Sequence, residues 1–271
     1  MGDPHSADLR PLIICGMGRS GTTLIKEVLN TAINVVVYSE PRHACLQATL
    51  SLLEEVRYLY RERSAAWRKI DDERAEQNVS YILRHTLCGI SGATDPEGRM
   101  VKPRFGFKQP NAELYFERYE AALGSLAPWY LYCWREPIDI YDSYLSMPWG
   151  NTKPRPFRKK LESSFDAALH ILKKASERTV LVPVHRLSSD QEYRTRFFSE
   201  IFDRFGLEAS ARTEQFLSDW PPINTRDKVS AQPSIEAAVK RQRLRNFEKT
   251  LKGSTIVARF REVAIRSAAR Y

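Results

Sequence analysis

The sequence predicts an α/β fold, a central parallel sheet flanked by helices, and three observations carry that expectation. Five short runs are nearly continuous in apolar or β-branched residues, as strands covered on both faces should be. Longer stretches with helical periodicity separate them, which is the alternation of a parallel sheet with crossover helices. A glycine-bearing turn then joins the first apolar run directly to the first helical stretch, at the edge of the sheet where ligands of open α/β folds bind.

Taken in order, strands are expected at 12–15, 34–38, 105–108, 129–134 and 180–185. Helices are expected at about 22–31, 43–62, 71–88, 111–123, 160–177, 191–205 and 234–250. The chain is read as one domain over 1–271, with a helical insertion at about 42–88 between the second and third strands. The apolar stripe Leu46, Leu50, Leu53, Val56, Leu59 and Tyr60 in that insertion is core packing. Met147 to Pro156 and Trp220 to Pro233 read as surface loops. The C-terminal segment, about 234–271, is helical and basic. From Lys240 to Arg270 it has ten Lys or Arg against two Glu, a pattern expected of a solvated helical face.

A length of 271 residues with 42% hydrophobic and 11% aromatic content allows a sizeable core and excludes disordered or fibrous classes. A net charge of +9 suits an anionic partner. Phosphorylated cofactor, acidic substrate, nucleic acid and anionic membrane all remain open on charge alone. The cysteines, Cys15, Cys45, Cys88 and Cys133, form no C-x-x-C pair, so buried thiols are expected rather than a disulfide framework or zinc site. No apolar run approaches the length of a membrane span and no signal-peptide core precedes Leu12, which predicts a cytoplasmic protein. Asn78-Val79-Ser80 is a glycosylation sequon expected by chance.

The junction after the first strand reads Gly16-Met17-Gly18-Arg19-Ser20-Gly21-Thr22-Thr23. Glycines let the backbone turn tightly and present its N–H groups, and the following helix start adds unpaired donors and a partial positive charge. Arg19 adds a full charge, while Ser20, Thr22 and Thr23 add hydroxyls. The spacing from Gly16 to Gly21 equals that of a Walker A loop, so the fold is expected to be P-loop NTPase-like. Thr22 stands where that loop has its lysine, which weakens an NTPase or kinase reading and leaves the phosphate cradle intact.

A second anion anchor follows the fourth strand, in Arg135-Glu136-Pro137-Ile138-Asp139-Ile140-Tyr141-Asp142-Ser143. Arg135 at a strand end falls on the same sheet edge as the loop, and Ser143 can face back toward it from a helix. At this point the chain resembles the sulfotransferases that use 3′-phosphoadenosine-5′-phosphosulfate (PAPS). Arg19-Ser20-Gly21-Thr22-Thr23 resembles their 5′-phosphosulfate loop, and Arg135 to Ser143 resembles their 3′-phosphate motif. The resemblance implies that Gly18, Arg19, Ser20, Gly21, Thr22, Thr23, Arg135 and Ser143 bind PAPS, that no metal is needed, and that a sulfuryl group passes to a hydroxyl acceptor.

Glu40 ends the turn after the second strand and precedes Pro41, which puts it at the active edge as a candidate base. It lies twenty-one residues after Arg19, a spacing similar to that of the catalytic glutamate in tyrosylprotein sulfotransferases. His43 is the rival base. Lys108 ends the third strand and resembles the family lysine that stabilises the leaving phosphate, a role shared here with Arg19. Cytosolic small-molecule members carry a histidine base two residues after that lysine. This chain has Pro110 there, so the resemblance is nearer the tyrosylprotein and bacterial carbohydrate enzymes. His85, His170 and His185 read as structural. Asn224, Arg226 and Lys228 lie in a loop where the family closes over its cofactor, without a sharp motif to match.

The competing readings are a P-loop nucleotide kinase or NTPase, and a basic binding module without catalysis. No recognised nucleic-acid motif supports the latter, so no nucleic-acid partner is expected. Trp67, Trp149 and Tyr144 are candidates to line an acceptor cleft, and the acceptor itself stays open among a glycan, a natural product and a peptide tyrosine.

Overall fold

The computed structural model describes residues 10–41, 43–63, 82–83, 86, 104–123, 126–150, 152–221 and 235–271. Several expectations fall outside them: most of the helix at 71–88, the sequon, Trp67, His85, Cys88, and the loop of Asn224, Arg226 and Lys228.

Five strands pair in parallel throughout, in the order β2-β3-β1-β4-β5. They are β1 (Leu12–Cys15), β2 (Val35–Tyr38), β3 (Arg104–Lys108), β4 (Trp129–Trp134) and β5 (Thr179–Pro183). Helices cover both faces, so the expected α/β architecture is the observed one. Strand side chains alternate between the two layers, as a period of two requires. Leu12, Ile14, Val35, Val37, Leu131, Cys133, Val180 and Val182 pack with α1 (Thr22–Leu29), α6 (Val184–Ser189), α7 (Gln191–Phe205) and α8 (Ala211–Ser218). Ile13, Cys15, Phe105, Phe107, Tyr130, Tyr132 and Trp134 pack on the other face. Their partners there are α2 (His43–Arg63), α3 (Phe116–Leu123), α4 (Pro137–Leu145), α5 (Pro154–Lys174), α9 (Ile235–Leu251) and α10 (Thr255–Ala268).

Four expectations need correction. The last strand stops at Pro183, and His185 lies in α6, where its ring packs edge-on to Trp134 at 4.6 Å. The helix expected at 160–177 begins at Pro154, because Pro154 and Pro156 sit in its first turn, where a missing N–H costs nothing. The loop expected at 147–156 is correspondingly short. The stretch 111–123 divides into a 3₁₀ turn, Ala112–Tyr115, and α3. Finally, the basic C-terminal segment is only partly a solvated face. Lys240 pairs with Asp142 at 2.8 Å and donates to Ser146 at 2.7 Å, and Arg261 pairs with Glu136, so two of its cations pin α4.

Edge strand β2 matters because the chain leaving it carries Glu40. Among the described residues no strand pairs with its outer side, and Asn30, at the end of α1, fills that role. The Val37 N–H donates to Asn30 Oδ1 at 2.6 Å, and Asn30 Nδ2 donates to the Val37 carbonyl at 2.9 Å. One turn earlier Lys26 donates to Ser39 Oγ at 3.1 Å, fixing the turn beside Glu40. Asn30→Ala removes both bonds to Val37 and should lower stability by about 1–2 kcal/mol. Denaturant unfolding checks this, and an unchanged midpoint would remove Asn30 as the anchor of β2.

Candidate active site

The chain leaving β1 makes three left-handed excursions within six residues, at Gly16 (φ 127°), Arg19 (φ 78°) and Gly21 (φ 101°). Such alternation turns successive N–H groups toward one concavity. Two glycines are sterically required there. A Cβ on Gly16 would lie 2.3 Å from the Cys133 carbonyl oxygen, and one on Gly21 would lie 2.6 Å from Val184 Cγ1. At Gly18 a Cβ would meet nothing within 4 Å, so this glycine leaves open space at the mouth of the loop. Arg19 holds a left-handed conformation without being glycine, a strain of roughly 1–2 kcal/mol that its surroundings must impose. Gly21 caps α1 and, having no side chain, makes no cap hydrogen bond, so among the described residues the N–H groups of the first turn have no side-chain cap.

The loop is anchored from below. Glu113, in the 3₁₀ turn after β3, is 2% exposed, and its Oε2 accepts from the Gly16 N–H at 2.9 Å. Its other oxygen accepts from Ser164 on α5, whose hydroxyl also meets the Tyr132 hydroxyl at 2.7 Å. Burial pushes the Glu113 carboxyl up from 4.5 to about 7, against the lowering effect of those hydrogen bonds. The titratable groups around it are Cys15, Cys133, Tyr119 and Tyr132, all raised by burial and uncharged at neutral pH.

Above the loop lies a cavity of about 630 Å³. Of the residues singled out in the sequence, Gly18, Arg19, Gly21, Thr22, Thr23, Glu40, Arg135 and Ser143 line it. Arg135 is 5% exposed at the end of β4. Arg19 Nε donates to Ser143 Oγ at 3.1 Å, joining the first loop to α4. Lys108 stands behind Glu40 at the end of β3, 4% exposed, with its Nζ in contact with Glu40 Oε1. Lys108 and Ser20 do not line the cavity; the Ser20 side chain is fully buried beneath the loop, and among the described residues its Oγ has no hydrogen-bond partner. Leu24, Phe216 and Pro221 give one end of the cavity an apolar wall.

A second cavity, about 490 Å³, shares Gly18, Arg19 and Trp149 with the first and extends over Tyr144, Phe157 and Lys160. Of the three aromatics singled out in the sequence, Tyr144 and Trp149 both line this cavity. His170 pairs with Glu117 on the surface and His185 is half-buried against Trp134, its pKa lowered chiefly by burial. Among the described residues no group of three or more His, Cys, Asp or Glu is gathered as metal ligands would be. No helix among them is long and apolar enough to cross a membrane. Cys15, Cys45 and Cys133 are free, the first and last buried.

No protein-family model matches this chain, and neither does any curated protein. Solved structures do. It is similar to the sulfotransferase STF9 from Mycobacterium avium at 14% identity, over 93% of this chain and 79% of that one, with a TM-score of 0.47. For the sulfotransferase domain of the Synechococcus PCC 7002 olefin synthase the values are 15% identity, 88% and 94% coverage, and a TM-score of 0.46. For mouse sulfotransferase SULT7A1 complexed with PAP they are 11% identity, 96% and 92% coverage, and a TM-score of 0.48. All three are sulfotransferases. At these identities and TM-scores the likeness is one of overall fold and carries nothing about activity.

Sequence reasoning missed Glu113, Lys26, Asn30 and Lys160. Glu113 looked like one polar residue of an ordinary helix, and only the return of the chain beneath Gly16 gives it a role. Its raised pKa has a consequence for stability. A carboxyl whose folded pKa lies above its unfolded one stabilises the fold fully below the unfolded value, and that contribution is lost as pH rises through the folded value. Glu113→Gln copies the hydrogen bonds of the neutral acid. The wild-type protein should therefore lose stability relative to this variant between about pH 4.5 and 7. Glu113→Ala, which orphans the Gly16 N–H, should cost about 2–3 kcal/mol. Unfolding curves across that pH range check both, and a flat wild-type-minus-Gln difference would mean that Glu113 does not titrate there.

Proposed function

We propose that this chain transfers a sulfuryl group from PAPS to the hydroxyl of an acceptor. The observation that carries the reading is the pairing of two separate anion anchors on one cavity: the left-handed loop with the start of α1, and Arg135 with Ser143 some way across the sheet edge. A nucleoside polyphosphate presents one phosphate chain, whereas PAPS presents a 3′-phosphate and a 5′-phosphosulfate at different points of the ribose. The open space at Gly18 and the uncapped first turn of α1 fit the 5′ group. Arg135 and Ser143 fit the 3′-phosphate. Leu24, Phe216 and Pro221 offer the apolar surface that a purine needs. Arg19, Arg135 and the positive end of α1 face a ligand carrying roughly four negative charges, with Lys108 behind Glu40 adding a further positive charge.

The chemistry asked of the side chains is limited. As the acceptor oxygen bonds to sulfur, the bond from sulfur to the bridging phosphate oxygen breaks, and Glu40 takes the hydroxyl proton. Lys108 and Arg19 stabilise the charge left on the phosphate. Glu40 and Lys108 already touch, so base and cation form one unit, and moving either disturbs the other. Glu40 is half-exposed and reachable by an acceptor, whereas Lys108 is buried beneath it. Among the described residues this gives Glu40 the better position for proton transfer.

A calorimetric titration with 3′,5′-adenosine bisphosphate (PAP), ADP and magnesium-ATP tests the donor site. PAP should bind tightest and without magnesium; preference for magnesium-ATP would overturn the reading. Arg135→Ala should weaken PAP about 10- to 100-fold and Ser143→Ala about 3- to 10-fold. Unchanged affinity in both would refute the 3′-phosphate assignment. Glu40→Gln should keep PAP affinity while turnover falls about 10²- to 10⁴-fold, and normal turnover would move the base elsewhere.

A further inference from the structure

The second cavity has properties the donor does not need. Its walls come from the phosphate loop (Met17, Gly18, Arg19), the turn after β3 (Leu114, Tyr115), Tyr144 of α4, Trp149, and Phe157 and Lys160 of α5. Two of these are large apolar side chains left open to solvent: Trp149 is 58% exposed and Leu114 49%. Exposed apolar groups gathered at a concavity mark a binding surface rather than a packing defect.

Trp149 is held in place while exposed. It sits in the turn closed by the Gly150 N–H donating to the Met147 carbonyl at 2.8 Å. A Cβ at Gly150 would fall 1.9 Å from the Tyr144 carbonyl oxygen, so only glycine lets the turn lie this close to α4. The indole meets Tyr144 edge-on at 5.1 Å, and Tyr144 in turn packs on Phe157 at 5.0 Å and shares a hydrogen bond with Thr152 at 2.7 Å. This is a rigid aromatic wall, and offset or edge-on rings are what a further aromatic ring packs against.

The charge of the same wall is one-sided. From Ser143 to Leu161 there is no Asp or Glu, while Lys153, Arg155, Arg158, Lys159 and Lys160 crowd the start of α5. Lys153 at the N-cap and Arg155 in the first turn oppose the helix dipole, so helix stability does not explain those two. Arg158 is committed to Glu162 and the Thr250 carbonyl. Lys160, the one of the five that lines the cavity, has no ion-pair partner among the described residues.

Resting on the sulfuryl-transfer reading, we infer that this second cavity holds the acceptor. We infer further that the acceptor is an aromatic alcohol carrying an acidic group, with its ring on the Tyr144–Trp149 wall and its acid toward Lys160. The shared walls, Gly18, Arg19 and Trp149, put such a molecule's far end against the donor cavity that Glu40 also lines. Among the acceptors left open by the sequence, this class excludes a neutral glycan, which has no use for an acid-binding lysine. The proposal falls on specificity, and removing Lys160 should change which phenol is preferred without touching the donor.

Three phenols of one size but different charge make the test: 3-(4-hydroxyphenyl)propionate, 4-propylphenol and tyramine. Each is titrated calorimetrically into the full chain, with and without saturating PAP. The anion should bind about 5-fold tighter than the neutral phenol, and tyramine weakest, as expected for one partly exposed charge pair. Lys160→Glu should reverse the order of anion and cation while leaving PAP affinity unchanged. Lys252→Glu, the same charge change on the exposed surface after α9, should leave the order as it was. Trp149→Ala should weaken all three phenols together. Equal affinities in the wild-type chain, no binding of any phenol, or the same order in Lys160→Glu would overturn the acceptor assignment. Failure of PAP to bind would instead overturn the donor reading, and the titrations without PAP would still judge the cavity.

Discussion

A single buried carboxylate underlies the site. Glu113 accepts the first N–H of the loop after β1 and, through Ser164 and Tyr132, ties that loop to α5 and β4. The Gly16 carbonyl takes the N–H of Asn111 at 3.0 Å, so loop and 3₁₀ turn hold each other from both directions. A loop with three left-handed residues does not fold that way by local preference. Something must repay the strain. The Glu113 carboxyl group below it, which takes the Gly16 N–H, and the sheet beside it do so.

The topology does the rest of the assembly. With β1 at the centre of the order β2-β3-β1-β4-β5, the chain leaves neighbouring strands at the same edge carrying Glu40, Lys108, the loop and Arg135 in turn. None of these residues is near another in sequence except within the loop. Parallel pairing with the register Ile14 to Lys108 and Cys15 to Tyr132 sets their relative heights. The second layer of support comes from outside the sheet: Asn30 and Lys26 hold the β2 exit, while Lys240 and Arg261 hold α4. The basic C-terminal helices therefore contribute to the site by positioning the helix that carries Ser143.

What could be read from the sequence was whatever depends on local pattern. Strands buried on both faces announce themselves as apolar runs, and β1 and β4 fall where those runs are. The turn after β1 was legible from its glycines, and the position of Arg135 at the end of β4 from the apolar run before it. Helix starts were less so: two prolines and a basic run disguised the first turn of α5 as loop, although proline is well suited to that position. The short α6 and α8 escaped because their periodicity spans too few turns, even though Ser210 and Thr213 form a capping box at the start of α8. The supporting residues were illegible for a different reason. Glu113 and Asn30 act through contacts with Gly16 and Val37, and Lys160 through the wall it shares with Tyr144. A single side chain in a helical stretch does not declare what lies across from it.

The pairs Lys108–Glu40 and Arg19–Ser143 bear on how such a site tolerates its own charge. Lys108, 4% exposed, loses hydration on burial, a cost of several kcal/mol if nothing offsets it, whereas Arg19 is exposed and keeps most of its hydration. Here each has a protein partner that a ligand can share or replace: a carboxylate for Lys108, a hydroxyl for Arg19. Those partners are also residues the reaction would use, Glu40 for the proton and Ser143 for the 3′-phosphate. The same contacts that keep the unliganded edge folded thus hold the side chains within reach of where they act. Little reorganisation is then left for the moment of transfer, which is the condition under which fixed charges stabilise a transition state most effectively.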